Sequence, residues 1–174
     1  MSPKKVMITG ISGIVGSSAY LQMRQSPEKY ELYGLGRRRV LSDRVKDTRD
    51  IDLPADKHMV ADIADFDAMC KVVAGMDVVV HLAADPSPAA TFYDTLLPLN
   101  IKGAYNGFEA AREAGCERLV FASSINAILG YENEDVPWDA PIFPQNVYGA
   151  TKCWGEALAR VYADQHQLSC ICVR

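Results

Sequence analysis

Tyr148 and Lys152 stand four residues apart in "NVYGATKCWGE", and a glycine-rich "ITGISGIVG" opens the same chain. Residues four apart on a helix share a face. A free phenol, with a pKa near ~10, is a poor base at neutral pH. An ammonium beside it favours the phenolate, because a nearby opposite charge stabilises the ionised form. Such a tyrosine takes a hydroxyl proton as hydride leaves carbon, or returns one in the reverse direction. A glycine-rich turn from strand to helix is where a dinucleotide pyrophosphate is held. The two motifs together predict redox or epimerase chemistry on a carbinol with a nicotinamide cofactor. Alone, Y-x-x-x-K occurs often by chance, and a helical tyrosine usually packs.

Those groups need a frame, and the chain alternates short apolar runs with helical patterns, which predicts a parallel α/β sheet. Strands are expected at Lys5–Thr9, Glu31–Leu35, Lys57–Val60, Val78–Leu82, Leu119–Ala122 and Ser169–Val173, with helices near Gly13–Gln25, Asp65–Val73, Leu97–Ala114 and Val147–Gln165. "VVVHLAA" and "LVFASS" lack polar alternation, as strands buried on both faces do. Gly115 follows "FEAAREA" as a helix stop. The architecture expected is a Rossmann-type doubly wound sheet of about six strands. Two proline-bearing loops, "DPSPAA" at Asp85–Ala90 and the acidic Gly130–Asn146, fall beyond strand ends, where ligands bind in such sheets.

Composition narrows the partners. With 174 residues, the chain supports one substantial core. A net charge of -4, with "RRRV" at Arg37–Val40 the one basic run, gives no footprint for nucleic acid. No apolar run approaches the roughly 20 residues a bilayer requires, and "MSPKKVMITG" lacks a secretory apolar region. The five cysteines have neither metal-ligand nor disulfide-framework spacing, so reduced thiols in a cytoplasm and no metal are expected. His58 and His166 read as surface positions, and His81 as a packed strand residue. Cys153 faces away from Lys152 and is not a nucleophile candidate.

Gly10, Gly13 and Gly16, after Thr9, form T-G-x-x-G-x-x-G. The first glycine permits the tight turn; the later ones admit phosphate to the backbone and the helix to the strand. With "ADI" (Ala61–Ile63), "VVHLAA" (Val79–Ala84), "NIKGAYNGFEAAREAG" (Asn100–Gly115), "FASS" (Phe121–Ser124) and "YGATKCWGE" (Tyr148–Glu156), the pattern resembles the extended short-chain dehydrogenase/reductase superfamily. Its NAD-dependent epimerase/dehydratase family, and there the uronate-dehydrogenase-like members, are the nearest in feel.

The resemblance implies a Ser124–Tyr148–Lys152 catalytic set, with Ser124 rather than Ser123 fixing the substrate oxygen and Lys152 also binding the nicotinamide ribose. It implies cofactor contacts from Gly10, Gly13, Ile14, Val15, Gly16, Asp62, Ile63, Leu82, Ala83 and Ala84, support from Asn100, and a homodimer through the third and fourth helices. Asp62 reads nearly as well as a helix N-cap, and Asn100 equally well as a helix-start residue. The substrate implied is a sugar, a sugar acid or a nucleotide sugar. A dehydratase would need an acid or base near Ser124, and "SSINAIL" supplies no Asp or Glu.

At the end of the second strand, an acid normally accepts the ribose 2'-hydroxyl of NAD. Here "YGLGRRR" has Gly36 at that place, followed by Arg37 and Arg38. Guanidinium grips a 2'-phosphate with paired donors, so NADP is expected ahead of NAD. Extended members continue past the sixth strand into a substrate-binding region, whereas this sequence stops at Arg174. Residues 1–174 are therefore expected to be a nucleotide-binding and catalytic domain cut before that region. The competing reading is a dinucleotide sensor without turnover, or a half completed by another chain.

Overall fold

In the structure, a computed structural model describing residues 2–47, 50–87, 89–131 and 135–174, six apolar runs become six strands. These are β1 (Lys4–Thr9), β2 (Tyr30–Gly36), β3 (His58–Val60), β4 (Val78–His81), β5 (Arg118–Ala122) and β6 (Ser169–Val173). All pair in parallel, in the order β3-β2-β1-β4-β5-β6. This is the doubly wound Rossmann arrangement. The chain leaves β1 toward β2 and β3, then returns to place β4 on the other side of β1. Ligands bind at that reversal, in the crevice beyond the strand C-termini.

Side-chain alternation along β1 splits the core into two layers. Val6 and Ile8 pack with Ile11, Tyr20 and Leu32 beneath α1 (Ile14–Met23). Met7 packs on the opposite face with Leu35, Val79, Phe108, Leu119 and Phe121, beneath α2 (Phe66–Val73), α3 (Gly103–Glu113) and α4 (Val147–His166). A β1 buried on both faces explains why its sequence carries no polar alternation. The stop expected at Gly115 is present, with φ of 70° just past the α3 C-cap.

Two expectations are corrected. The third helix begins well before Leu97: Phe92–Lys102 is a π-helical segment that runs directly into α3. Pro98 lacks an N–H and obstructs an α-helix interior. In the wider coil it is accommodated, and the Gly103 N–H donates to the Pro98 carbonyl five residues back. Asn100 is thus internal to a continuous helix. His58 is buried, only 5% exposed, because β3 pairs with β2 and turns that residue inward. Pro88 and residues 132–134 of the two expected loops lie outside the described residues. Among the described residues, no helix is long and apolar enough to cross a membrane.

Candidate active site

The turn after β1 sets the floor of the crevice. Thr9 is fully buried, and its hydroxyl accepts from the Leu82 and Ala83 N–H groups at 3.1 and 3.2 Å. That bond ties the end of β1 to the end of β4. Gly10 has φ of +70° and lies so close to β4 that a Cβ there would stand 2.8 Å from the Ala83 nitrogen. At Gly16 a Cβ would meet the Gly10 carbonyl oxygen at 2.2 Å. Helix α1 starts at that turn after Gly13, which has no side chain to cap it, and its first turn carries no acid, a favourable place for an anion.

Because Gly16 faces backbone rather than a flexible side chain, Gly16→Ala must displace the turn. Overpacking of this kind costs about 1–3 kcal/mol. The urea midpoint is expected to fall and NADH affinity to drop together; an unchanged midpoint with unchanged affinity would contradict the assignment of this turn.

One cavity of about 590 Å³ runs from this turn to the start of α4, and its lining includes Gly10, Gly13, Ile14, Val15 and Gly16 at one end and Tyr148 and Lys152 at the other. Between them lie Ile63, Leu82, Ala83 and Ala84, with Arg37 and Arg38 at the β2 side. Glycines that admit the backbone, a helix start without an acid in its first turn and apolar walls fit a dinucleotide. Asp62 is not in the lining: its carboxylate accepts from the Ala64 N–H at 2.9 Å in a separate hollow. Nor is it the helix cap, since Asp65 caps α2.

Helix α4 is held tightly at both ends of the site. Asn146 caps it, accepting from the Gly149 N–H at 2.7 Å. One turn past Lys152, a Cβ at Gly155 would stand 2.1 Å from Phe121 Cζ, so only glycine lets α4 approach β5 this closely. Tyr148 and Lys152 are both buried, 7% and 4% exposed. The Lys152 Nζ donates to the Ala122 carbonyl at 2.8 Å and stands 5.7 Å from the Tyr148 ring centre. Burial pushes the Lys152 amine down to about 8, which still leaves it mostly protonated at neutral pH.

The two serines after β5 differ in what they do. Ser123 lines the cavity with Tyr148 and Lys152, and its hydroxyl donates to Glu156 at 2.5 Å. Ser124 is half-buried and is not in the cavity lining; its oxygen accepts from the Asn126 N–H and Nδ2 at 3.1 and 3.3 Å. Asn126 in turn accepts from Asn146, the α4 cap, so Ser124 is tied to the start of the Tyr148 helix. Asn100 is buried outside the cavity lining. It bridges the Asp85 backbone to the Thr151 hydroxyl, which donates to the Tyr148 carbonyl. It supports α4 from behind.

His81 is fully buried against Phe121, and burial pushes it down to about 3. Sequence reasoning did not single out Glu156, Thr151 or Asn146. A signal existed for Glu156: it follows Tyr148 and Lys152 at a further interval of four, on the same stripe of the helix.

A family model for the NAD dependent epimerase/dehydratase family matches residues 6–174. The chain belongs to that family, within the extended short-chain dehydrogenases/reductases. It is 33% identical to an NAD-dependent glucose-6-phosphate dehydrogenase from Haloferax volcanii over 97% of this chain and 66% of that protein. Among solved structures it resembles uronate dehydrogenase from Agrobacterium tumefaciens in a mutant form complexed with NAD, with a TM-score of 0.76 and 32% identity over 97% of this chain and 59% of that one. A UDP-galactose 4-epimerase structure matches with a TM-score of 0.79 and 27% identity, over 98% of this chain and 55% of the other. The chain thus spans a little over half to just under two thirds of the length of these proteins.

Proposed function

We propose that residues 1–174 form the dinucleotide-binding and catalytic part of an NAD(P)-dependent oxidoreductase acting on a carbinol of a sugar, sugar acid or nucleotide sugar. The observation that carries this reading is the single cavity joining the glycine turn to Tyr148 and Lys152. The nicotinamide, when bound, accepts or returns the hydride. Tyr148 takes the carbinol proton or gives it back, and the Lys152 ammonium stabilises the phenolate. Ser124 has its oxygen occupied as an acceptor by Asn126, which leaves its proton to donate to a substrate oxygen. Dehydrogenase and epimerase differ in whether the hydride returns to the substrate, and these residues serve both.

The test is turnover with NAD⁺ and NADP⁺ of D-glucuronate, D-galacturonate and L-arabinose, followed by the reduced nicotinamide signal. UDP-glucose is assayed in parallel for epimerisation. Turnover of one of these sugars, or epimerisation, is expected. Tight dinucleotide binding with no turnover of any would favour the sensor reading instead.

The adenosine end supports NADP. A Cβ at Gly36 would stand 3.0 Å from the Arg38 carbonyl oxygen and 3.1 Å from Ser12 Oγ, so a carboxylate fits there poorly. Arg37 and Arg38 are exposed on the cavity rim, beside Ser42 and Arg44. A charge-assisted phosphate contact contributes about 1.5–3 kcal/mol. Arg37→Ala is therefore expected to reduce the NADPH-over-NADH affinity ratio about tenfold; an unchanged ratio would remove Arg37 from cofactor selection. Tyr105 and Val161, both about 44% exposed on α3 and α4, support the proposal of a homodimer through those helices.

A further inference from the structure

We propose that Glu156, oriented by Arg174, is a positioning residue that fixes the Ser123 hydroxyl as a hydrogen-bond acceptor toward whatever occupies the Tyr148–Lys152 end of the cavity. The inference rests on the reading of that cavity as a dinucleotide and substrate site. Glu156 is 13% exposed and Arg174 21%. The guanidinium grips both carboxylate oxygens, Nε to Oε1 at 3.0 Å and Nη2 to Oε2 at 2.8 Å. Its remaining arm donates to the Ala140 carbonyl at 2.8 Å, tying the proline-bearing loop before α4 to the same ion pair. Burial would raise the Glu156 carboxyl, but Arg174 and Ser123 outweigh it and hold the group ionised.

An ionised carboxylate has no proton to give. The 2.5 Å bond between Ser123 Oγ and Glu156 Oε1 is therefore donated by the serine. With its one proton committed away from the cavity, Ser123 offers only lone pairs to a ligand. Ser124 has the opposite polarity, its oxygen occupied by Asn126 and its proton uncommitted among the described residues. Adjacent serines of the same type thus present an acceptor and a donor, a distinction the sequence alone does not carry. The group that meets Ser123 must be a hydrogen-bond donor. Three are chemically available: the nicotinamide carboxamide N–H, a hydroxyl of the nicotinamide ribose, whose loss would weaken NADH and the ketone analogue alike, and a hydroxyl of the sugar.

Dissociation constants are measured for NADH and for reduced 3-acetylpyridine adenine dinucleotide, whose methyl ketone lacks the N–H, together with kcat/KM for D-galacturonate. The proteins are wild type, Ser123→Ala, Glu156→Gln, their double variant and Arg174→Lys. If the donor is the carboxamide, Ser123→Ala and Glu156→Gln each lower NADH affinity about tenfold and leave the ketone analogue within about twofold. If the donor is the sugar hydroxyl, both dinucleotides bind as before and kcat/KM falls about tenfold. In each case the double variant is no worse than one single variant, because both remove the same interaction. Arg174→Lys, which retains the charge on Glu156, keeps most of the selectivity.

A purely structural ion pair would lower thermal stability, leaving both dinucleotide affinities and kcat/KM unchanged. That result in Ser123→Ala, the variant least disturbing to the fold, or additive losses in the double variant, overturns the proposal. Should wild type bind NADH without oxidising the sugar acid, the dinucleotide arm alone decides. Failure of wild type to bind either dinucleotide removes the underlying reading of the cavity as well, and is a distinct outcome.

Discussion

Tyr148→Phe is expected to lower kcat by roughly 10²–10⁴-fold, the usual contribution of a positioned acid–base group, with NADH affinity held within about threefold. The ring is buried at the start of α4, and its packing survives loss of one oxygen. Helix α4 is anchored by Asn146 at its cap and by Asn100 through Thr151, and neither contact uses the phenol hydroxyl. The variant therefore removes the proposed proton carrier without moving the wall of the cavity. Loss of turnover with intact binding separates chemistry from assembly. Retention of substantial turnover would move the acid–base role to another group.

Lys152→Met is expected to abolish measurable turnover and to weaken NADH binding about tenfold, because one ammonium is proposed to serve both the phenolate and the cofactor. Its effect on stability has a different pH signature. Burial lowers the folded-state pKa from 10.5 to about 8, so between those values the unfolded chain binds more protons than the folded one. Stability contributed by this group accordingly rises from about pH 8 to about 10.5 and is lost as pH falls through 8. Below pH 8 the folded protein carries the full cost of a buried ammonium. Lys152→Met lacks this slope: wild type should gain stability relative to the variant as pH is raised through that window. Parallel stability curves for the two proteins across pH 7 to 10.5 would contradict the burial of a charged amine. The combination of lost function with no added loss of stability at neutral pH marks a residue retained for chemistry rather than folding.

The sheet was legible because its signals are local. Strands such as "VVVHLAA" are continuous apolar runs, and β4 and β5 fall where those runs predict. The glycine turn was legible for a related reason: backbone contacts at 2.2 and 2.8 Å exclude any side chain at Gly16 and Gly10, so only glycine stands there. Tyr148 and Lys152 followed from a fixed helical interval. What failed involved contacts between distant segments. His58 looked solvent-facing as a polar residue in a short strand, yet pairing with β2 buries it. The third helix was expected to begin near Leu97, and only the π-helical register explains how Pro98 sits inside a helix that starts earlier.

The serine pair marks a further limit. Ser123 and Ser124 are identical in type and adjacent, so no pattern distinguishes their hydrogen-bond polarity. That difference comes from Glu156, 33 residues beyond Ser123, and from Asn126. Asp62 matches a familiar position, and one oxygen of its carboxylate accepts from the Ala64 N–H. The proposed adenosine-end selection rests on Gly36 and Arg37, where one residue of register decides the chemistry.

One cavity is proposed to hold a nicotinamide dinucleotide with its reactive end at Tyr148 and Lys152. Fluorescence titration of the purified 174-residue chain with NADPH and NADH tests it most directly. Saturable one-to-one binding is expected, tighter for NADPH, weakened by Gly16→Ala and preserved in Tyr148→Phe. Absence of binding to either dinucleotide by the folded wild-type chain would mean that this cavity is not a dinucleotide site.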